Sequence, residues 1–370
     1  MKLYSMEKTV MKLTRKIQLV IDLPDKEERN EALGKLYGWQ NRCYRAANLI
    51  VSHLYVQEMI NEFLYLSEGI HYKLVDEKKD DAGILQRSRI NTTYRVVSDR
   101  FKGEMPTNIL TCLNGALQSN FKKNKLAYWK GERSLMNFRK DMPFPFSADC
   151  ISRIWVDEQR NEFCFRLFQI PFRTYLGKDF FDKRKLLEGV MRGEIKLCTS
   201  QIKLEKGKIF WLPILEIKKE ENILKPEVVA EASLSLEYPI VVKTDTAKLT
   251  IGSKEEFLYR RLALQEAKRR AQSGMAYTRS GKGKKRKLKG MEKFRNAETN
   301  YINHRLHVYS RKLIDFCVKQ QAGTLILVNQ ENRMEIAKED EFILRNWSYY
   351  ELMTKIKYKA EKSGIELVVE

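Results

Sequence analysis

Apolar and polar positions change their period several times along the chain, and each change marks an element. Residues 8–23, KTVMKLTRKIQLVIDL, partly alternate and are rich in Val, Ile and Thr. That pattern predicts a strand, closed by Asp22, Pro24 and Asp25. From about Glu28 to Leu66 the spacing turns helical, with Leu33, Leu36, Trp39, Cys43, Ala46, Ile50 and Leu54 recurring on one face. A charged loop is expected over 72–83 and a second helix over Ile90–Phe101. A third helix should start after Pro106 and run through Ile109, Leu113, Leu117, Phe121 and Leu126. A basic helical insertion of roughly a hundred residues thus follows one N-terminal strand.

From Phe144 to Ile217 the reading turns to β. ISRIWVDEQRNEFCFRLF predicts a hairpin around Asp157–Asn161, and CTSQIKLEKGKIFWLPILEI another around Lys206–Gly207. These strands should rejoin the N-terminal strand in a small β-domain interrupted by the helices. Residues 228–370 read as α/β. Strand material lies in VVAEASLSLEYPIVVKT, with helices over Lys254–Gln272, Glu292–Gln320 and Trp347–Lys362 and short strands at 324–330 and 365–370. Pro239 sits awkwardly within the first of these strand segments.

Charge gives this α/β pattern a partner. The chain has 370 residues with 69 Lys and Arg against 48 Asp and Glu, a formal net charge of +21. With 43% hydrophobic residues it can bury a core, which excludes a disordered basic tail. No apolar run reaches the length of a membrane span, and the start MKLYSMEKTVMKLTRK lacks an apolar signal region. A cytoplasmic, nucleoid-associated setting is expected. The six cysteines (Cys43, Cys112, Cys150, Cys164, Cys198 and Cys317) form no C-x-x-C pair, and His53, His71, His304 and His307 have no metal or triad spacing. Zinc is not expected, and nucleic acid is the first partner to consider.

The densest charge lies in RSGKGKKRKLK (279–289), read as a glycine-punctuated loop with Arg279, Lys282, Lys284, Lys285, Arg286, Lys287 and Lys289 and no acid. Such cations repel one another unless a polyanion neutralises them, with counterion release supplying free energy. A solvated loop or a localisation signal is the plain alternative. Basic residues on both sides (Arg260, Arg261, Lys268, Arg269 and Arg270, then Lys293 and Arg295) favour binding. The helical insertion carries Asn108, Asn114, Gln118, Asn120, Lys122 and Lys123, and such amides pair with adenine edges in a major groove. For any single one, a solvated helix face is the better assignment. Trp129, Trp155, Trp211 and Tyr94 are candidates for base stacking. No P-loop, dinucleotide fingerprint or nucleophile elbow is present.

Three segments together resemble the RuvC-like domain of TnpB, the transposon-encoded RNA-guided nuclease related to type V CRISPR effectors. They are IGSKEEFLYRRLALQEAKRRAQ (251–272), GKGKKRKLKGMEKFRNAETNYINHRLHVYSRKLIDFCVKQQAGTLIL (281–327) and FILRNWSYYELMTKIKYKAEKSGIELV (342–368). The resemblance implies an α+β multidomain fold. A small β-barrel-like wedge domain (1–35 and 136–227) would be interrupted by a helical recognition insertion (36–135) and followed by a truncated RuvC-like (RNase H-type) α/β domain (228–370). It implies guide-RNA and heteroduplex contacts at Arg260, Arg261, Arg269, Arg270, Lys284, Lys285, Arg286, Lys287, Asn303, His304 and Arg311. Asn48, Ser52, Asn114, Gln118 and Lys122 are the candidates for reading a short motif beside the DNA target.

The departures from the family bear on chemistry. The family's first catalytic Asp aligns with Ser233 in AEASLSLEYPIVV, and its second, a Glu, aligns with Val328 in GTLILVNQ. The zinc ribbon and third acid would follow Glu370. Displaced ligands would be Glu231, Glu237, Asp245 or Glu331. Magnesium needs hard oxygen ligands, so neither catalytic Mg²⁺ nor zinc is expected. The pattern is similar to that of TnpB-like nuclease-dead repressors. It implies a nuclease-inactive, RNA-guided DNA-binding protein that holds a structured guide RNA on double-stranded target DNA and represses transcription. A reduced RuvC endonuclease and a guide-independent noncoding-RNA binder are the rivals.

Overall fold

The computed structural model describes residues 10–63, 71–72, 85–86, 89–177, 180–328 and 348–370. It divides into two compact units, Lys12–Ile217 and Met1–Met11 with Lys218–Glu370. No described helix is long and apolar enough to cross a membrane.

The first unit joins three long helices to an antiparallel sheet. Helix α1 (Lys26–Phe63) starts where Asp25 Oδ2 accepts the backbone N–H groups of Glu27 and Glu28, at 3.0 and 3.1 Å. Its apolar face buries Leu36, Cys43, Ala46, Ile50 and Leu54, as the spacing predicts, together with Ala47, while Leu33 and Trp39 are half-buried against the same core. Helix α2 spans Arg89–Phe101, and α3 (Thr107–Trp129) follows Pro106 and buries Ile109, Leu113, Leu117 and Phe121. The loop expected over 72–83 lies almost wholly outside the described residues.

Ten of the unit's strands matter for its two larger sheets. They are β1 (Val10–Thr14), β2 (Ile17–Ile21), β5 (Phe144–Phe146), β6 (Trp155–Asp157), β7 (Glu162–Leu167), β8 (Ile170–Tyr175), β9 (Lys196–Leu197), β10 (Ser200–Glu205), β11 (Lys208–Leu212) and β12 (Ile214–Lys218). The small pair β3 (His71–Tyr72) and β4 (Leu85–Gln86) stands apart. The seven-stranded sheet runs β5-β10-β11-β2-β8-β7-β6, so the N-terminal strand does rejoin the later hairpins. Both expected hairpins form, with Asp157 facing Glu162 and Glu205 facing Lys208. The sheet is open, with β5 and β6 as its edges, so barrel-like closure is not found among the described residues. Phe144, Phe146, Phe163, Phe165, Phe172 and Trp211 fill its core, and the Phe165 and Trp211 rings are 4.8 Å apart.

Two expectations are corrected here. Residues 8–23 make two strands, because β1 pairs with β12 while β2 pairs with β11. Pro213 separates β11 from β12, and its carbonyl accepts the Arg15 N–H at 3.3 Å. A proline cannot donate to the ladder, so both chains turn at the same place. Residues 144–217 also include a helix, α4 (Phe180–Met191), which buries Leu186 and Leu187.

The second unit is a five-stranded mixed sheet with helices, the arrangement of a RuvC-like α/β domain. Strands β13 (Lys225–Ser233), β14 (Ile240–Lys243) and β15 (Lys248–Ile251) form an antiparallel meander. Strands β16 (Ala322–Leu327) and β17 (Glu366–Val369) add in parallel beside β13, giving the order β15-β14-β13-β16-β17. Pro239 falls in the β13–β14 connection, where it interrupts no ladder. Parallel pairing requires crossovers, supplied by helices α5 (Lys254–Ala276), α6 (Gly281–Lys319) and α7 (Tyr349–Ser363). Ala230, Ala232, Leu325 and Leu327 of the sheet are buried together with Phe257, Leu306, Leu313 and Ile356 of the helices.

The basic segment 279–289 is also corrected: only Arg279 and Ser280 precede the helix, and Gly281 to Lys289 form its first turns. Lys and Arg are good helix formers. The helix starts at Ser280, whose side chain accepts the Gly283 N–H at 3.1 Å. The glycines that read as loop punctuation sit at and just inside this start.

Candidate nucleic-acid interface

Helices α5 and α6 form a hairpin that carries all of the expected guide-RNA residues. Its root is tied by Glu256, in the first turn of α5 behind the Ser253 cap. Arg305 donates to Glu256 Oε1 at 2.6 Å, and the Tyr301 hydroxyl donates to the Glu256 carbonyl at 2.7 Å. Arg260 and Arg305 lie over the Tyr301 ring, 5.8 and 5.5 Å from its centre. Midway along, Arg261 and Gln265 both donate to Glu298 Oε1, at 3.2 and 2.8 Å.

This geometry separates the expected contacts into two kinds. Arg260, Arg269, Arg270, Lys284, Lys285, Arg286 and His304 are exposed, while Lys287 and Asn303 are half-buried. Arg269 and Arg270 share Glu266, whose carboxyl they hold below its usual range, Arg269 contributing most. Their guanidinium groups remain largely in solvent. Arg311 is exposed and pairs with Asp315 at 2.8 Å. Lys287 donates to the Gly274 carbonyl across the hairpin. Arg261 is buried between the helices, so its charge faces Glu298 instead of an open surface. The sequence places Arg260 and Arg261 side by side but does not say which one meets Glu298.

The positively charged start of α6 runs against helix electrostatics, because cations are disfavoured at the positive end of the macrodipole. Helix stability therefore does not account for the charge there. A polyanion bound to this face would neutralise it.

The residues proposed to read DNA do not share one solvent face. Ser52 and Lys122 are exposed. Asn48 is fully engaged: its Nδ2 donates to the Phe138 carbonyl at 3.0 Å and its Oδ1 accepts the Phe138 N–H at 2.9 Å. Asn114 is buried and Gln118 half-buried, and Asn114 Oδ1 and Gln118 Nε2 are buried without a hydrogen-bond partner among the described residues. Other buried polar groups of the unit include a chain from His53 Nδ1 to Thr93 Oγ1 (3.2 Å) and on to Gln57 Oε1, and a Glu58–Lys125 ion pair of 2.6 Å. Burial pushes the His53 imidazole down to about 4. Of the stacking candidates, Trp211 is fully buried, Trp129 packs against Tyr55, and Trp155 is exposed. Asn108 likewise turns inward, bridging Ser147 through both amide atoms, at 2.7 and 2.9 Å.

The remaining constellation lies at the strand ends of the second unit. Parallel register sets Ala232 beside Leu327 and Leu327 beside Val369. Val328 N–H donates to the Ala232 carbonyl at 3.0 Å, and Glu370 N–H donates to the Leu327 carbonyl at 2.9 Å. Ser233, Val328 and Glu370 therefore follow one another across neighbouring strand ends. An isopropyl group offers no ligand and a serine hydroxyl is neutral, so Ser233 and Val328 do not fit a two-magnesium centre. Of the displaced acids, Glu231 pairs with Lys243 at 2.8 Å and Glu237 with Lys254 at 3.4 Å. Asp245 follows β14, and Glu331 lies outside the described residues. Among the described residues no three His, Cys, Asp or Glu side chains gather as a metal-binding set.

Comparison with known proteins gives this architecture a family context. No family model matches the chain. A CRISPR-associated endodeoxyribonuclease Cas12f1 from Sulfoacidibacillus thermotolerans is 22% identical over 267 residues, which are 67% of this chain and 62% of that protein. The chain is homologous to Cas12f1. A second Cas12f1, from Syntrophomonas palmitatica, is 38% identical over 93 residues, 24% of this chain and 18% of that protein. The chain thus spans less than two thirds of the curated Cas12f1 proteins it matches. The cryo-EM structure of a Cas12f1-sgRNA-target DNA complex superposes with a TM-score of 0.67 at 15% identity, covering 97% of this chain and 89% of Cas12f1 there. The fold is that of Cas12f1, a TnpB-related type V effector, in agreement with the resemblance read from the sequence.

Proposed function

We propose that the chain binds a structured guide RNA, directs it to double-stranded DNA beside a short adjacent motif, and represses transcription by occupying the target without cutting it. The observation that carries this reading is the pair Ser233 and Val328, which follow each other across neighbouring strand ends and which the resemblance aligns with the catalytic acids of TnpB-like nucleases. The exposed cations of the α5–α6 hairpin support the RNA-binding half, since backbone recognition needs charge and no catalytic acid. In this reading the wedge (1–35 and 136–227) and recognition (36–135) segments read the adjacent motif, the RuvC-like segment (228–370) holds RNA and heteroduplex, and no metal cofactor takes part.

The test is to purify the protein from its native host and sequence the RNA that accompanies it. A single abundant RNA, with a constant scaffold and a short segment matching a promoter, is the expected result. Heterogeneous RNA, or none, would refute guidance. DNA binding indifferent to the RNA sequence would point to a guide-independent RNA binder.

A second reading, a reduced RNA-guided endonuclease using displaced carboxylates, is favoured by one observation: both curated relatives are named endodeoxyribonucleases. Mg²⁺-dependent cleavage of target DNA, abolished by Glu331→Ala, would establish it in place of the first.

A further inference from the structure

The tip of the α5–α6 hairpin combines charge with an aromatic ring. Tyr277, at the end of α5, is 87% exposed, the highest among the exposed large hydrophobic side chains of the described residues. The tyrosine at the root behaves differently: Tyr301 has two guanidinium groups over its ring and is bonded through its hydroxyl. A single exposed ring on a protein surface is ordinary. This one borders a segment with no acid between Tyr277 and Met291, in which Arg279, Lys282, Lys284, Lys285, Arg286 and Lys289 are all exposed.

The turn that presents the ring is a built structure. Thr278 Oγ1 donates to the Gly274 carbonyl at 2.9 Å, and Lys287 reaches the same carbonyl from α6. Ser280 accepts the Gly283 N–H and also receives the Lys284 N–H at its carbonyl, at 3.1 and 3.0 Å. A Cβ on Gly283 would come within 2.5 Å of Thr278 Cγ2, so glycine permits this close approach. The backbone on both sides of Tyr277 is therefore fixed while its ring stays in water.

A ligand that suits both the cations and the ring must be a polyanion with accessible π-faces. Single-stranded nucleic acid meets that description, whereas a duplex turns its base faces inward. We propose that the α5–α6 turn is a stacking platform for an unpaired nucleobase of the bound RNA, with Tyr277 as the face and the neighbouring α6 cations holding the flanking phosphates. This rests on the RNA-binding reading above and adds a contact that charge alone does not supply.

The test uses the full chain and fluorescence anisotropy across a salt series. The probes are a labelled oligouridylate and an abasic ribose-phosphate oligomer of equal length and charge. The wild type should prefer the base-bearing probe about five- to a hundredfold. Tyr277→Ala should lose that preference and bind both probes at the abasic level with an unchanged salt slope, while Tyr277→Trp should keep it. A Lys284→Ala, Lys285→Ala, Arg286→Ala triple variant should weaken both probes alike and lower the slope by about 0.7 for each phosphate no longer neutralised. Wild type with no base preference, or Tyr277→Ala that retains it, would overturn the stacking platform while leaving RNA binding intact. No measurable affinity for either probe would likewise overturn the platform, while the RNA-binding reading is decided separately by whether RNA accompanies the purified protein.

Discussion

Two adjacent arginines of α5 should respond in opposite ways to the same substitution. Arg261 and Glu298 have side chains only 10% and 14% exposed, and their charged groups approach to 3.2 Å. At that distance, with an effective dielectric constant of about 20, their attraction is about 5 kcal/mol, much of it offset by loss of hydration. Removing one partner leaves the other charge poorly solvated, so Arg261→Met should cost roughly 2–4 kcal/mol. Thermal melting should fall by roughly 5–10 °C. The double variant Arg261→Met, Glu298→Leu should recover only part of this loss, because an apolar pair removes the unpaired charge while Gln265 loses the Glu298 oxygen it donates to at 2.8 Å. Arg260 is exposed and lies over the Tyr301 face, so Arg260→Met should melt within about 1 kcal/mol of the wild type. It should instead lower the salt slope of RNA binding by about 0.7. Circular-dichroism melts and anisotropy titrations on the same preparations measure both quantities. If Arg261→Met melted like the wild type but showed a reduced salt slope, Arg261 would be a phosphate contact and the brace wrongly assigned.

Three further outcomes are expected. Asn48→Ala removes both hydrogen bonds to the Phe138 backbone and should cost about 1–3 kcal/mol in urea denaturation, without altering which DNA sequence is preferred. His53 should make the protein acid-sensitive: its folded value of about 4 lies below the ordinary imidazole value, so between the two the unfolded chain binds the extra proton. Stability is full above pH of about 6.5 and declines toward pH 4, and His53→Gln should flatten that decline in urea midpoints measured at neutral and acid pH. Gly252→Ala places a side chain at φ +79° and a Cβ 2.8 Å from the Tyr309 ring, so roughly 2–4 kcal/mol of destabilisation should appear in thermal melts.

What the sequence discloses tracks the range of the interaction involved. Helices α1, α3 and α7 declare themselves through a repeating apolar face, and two hairpins through a short turn between alternating arms. The split at Arg15 is hidden because Met11, Leu13, Ile17, Leu19 and Ile21 keep one alternation in phase through it. Its cause, Pro213, lies in a partner strand far along the chain. Helix α4 is hidden among strands, and the start of α6 is masked by glycines whose conformation depends on Ser280 and Thr278. In the candidate interface, the total charge is legible and its division is not. Only the packed α5–α6 hairpin shows that Arg261 looks inward and Arg260 outward, and only the packing of α1 and α3 in the first unit shows that Asn48 and Asn108 direct their amides to the Phe138 backbone and to Ser147. The juxtaposition of Ser233 and Val328 is legible only through alignment to a family pattern, since the parallel ladder that brings them together joins strands separated by two helices.

The position of β2 has a consequence for how the protein is made. Gln18 pairs on one side with Tyr175 and on the other with Phe210, so the middle strand of the seven-stranded sheet is synthesised long before either neighbour. At 5–20 residues per second, roughly 10–40 s pass before the ribosome releases the second of them. Helices α1 to α3 close local contacts and can form during that interval, while β2 waits with both edges open. The slow step of folding should therefore be the insertion of an early strand between late ones. Destabilising β10 or β11 should slow folding and raise aggregation during synthesis, more than equal damage to the helices.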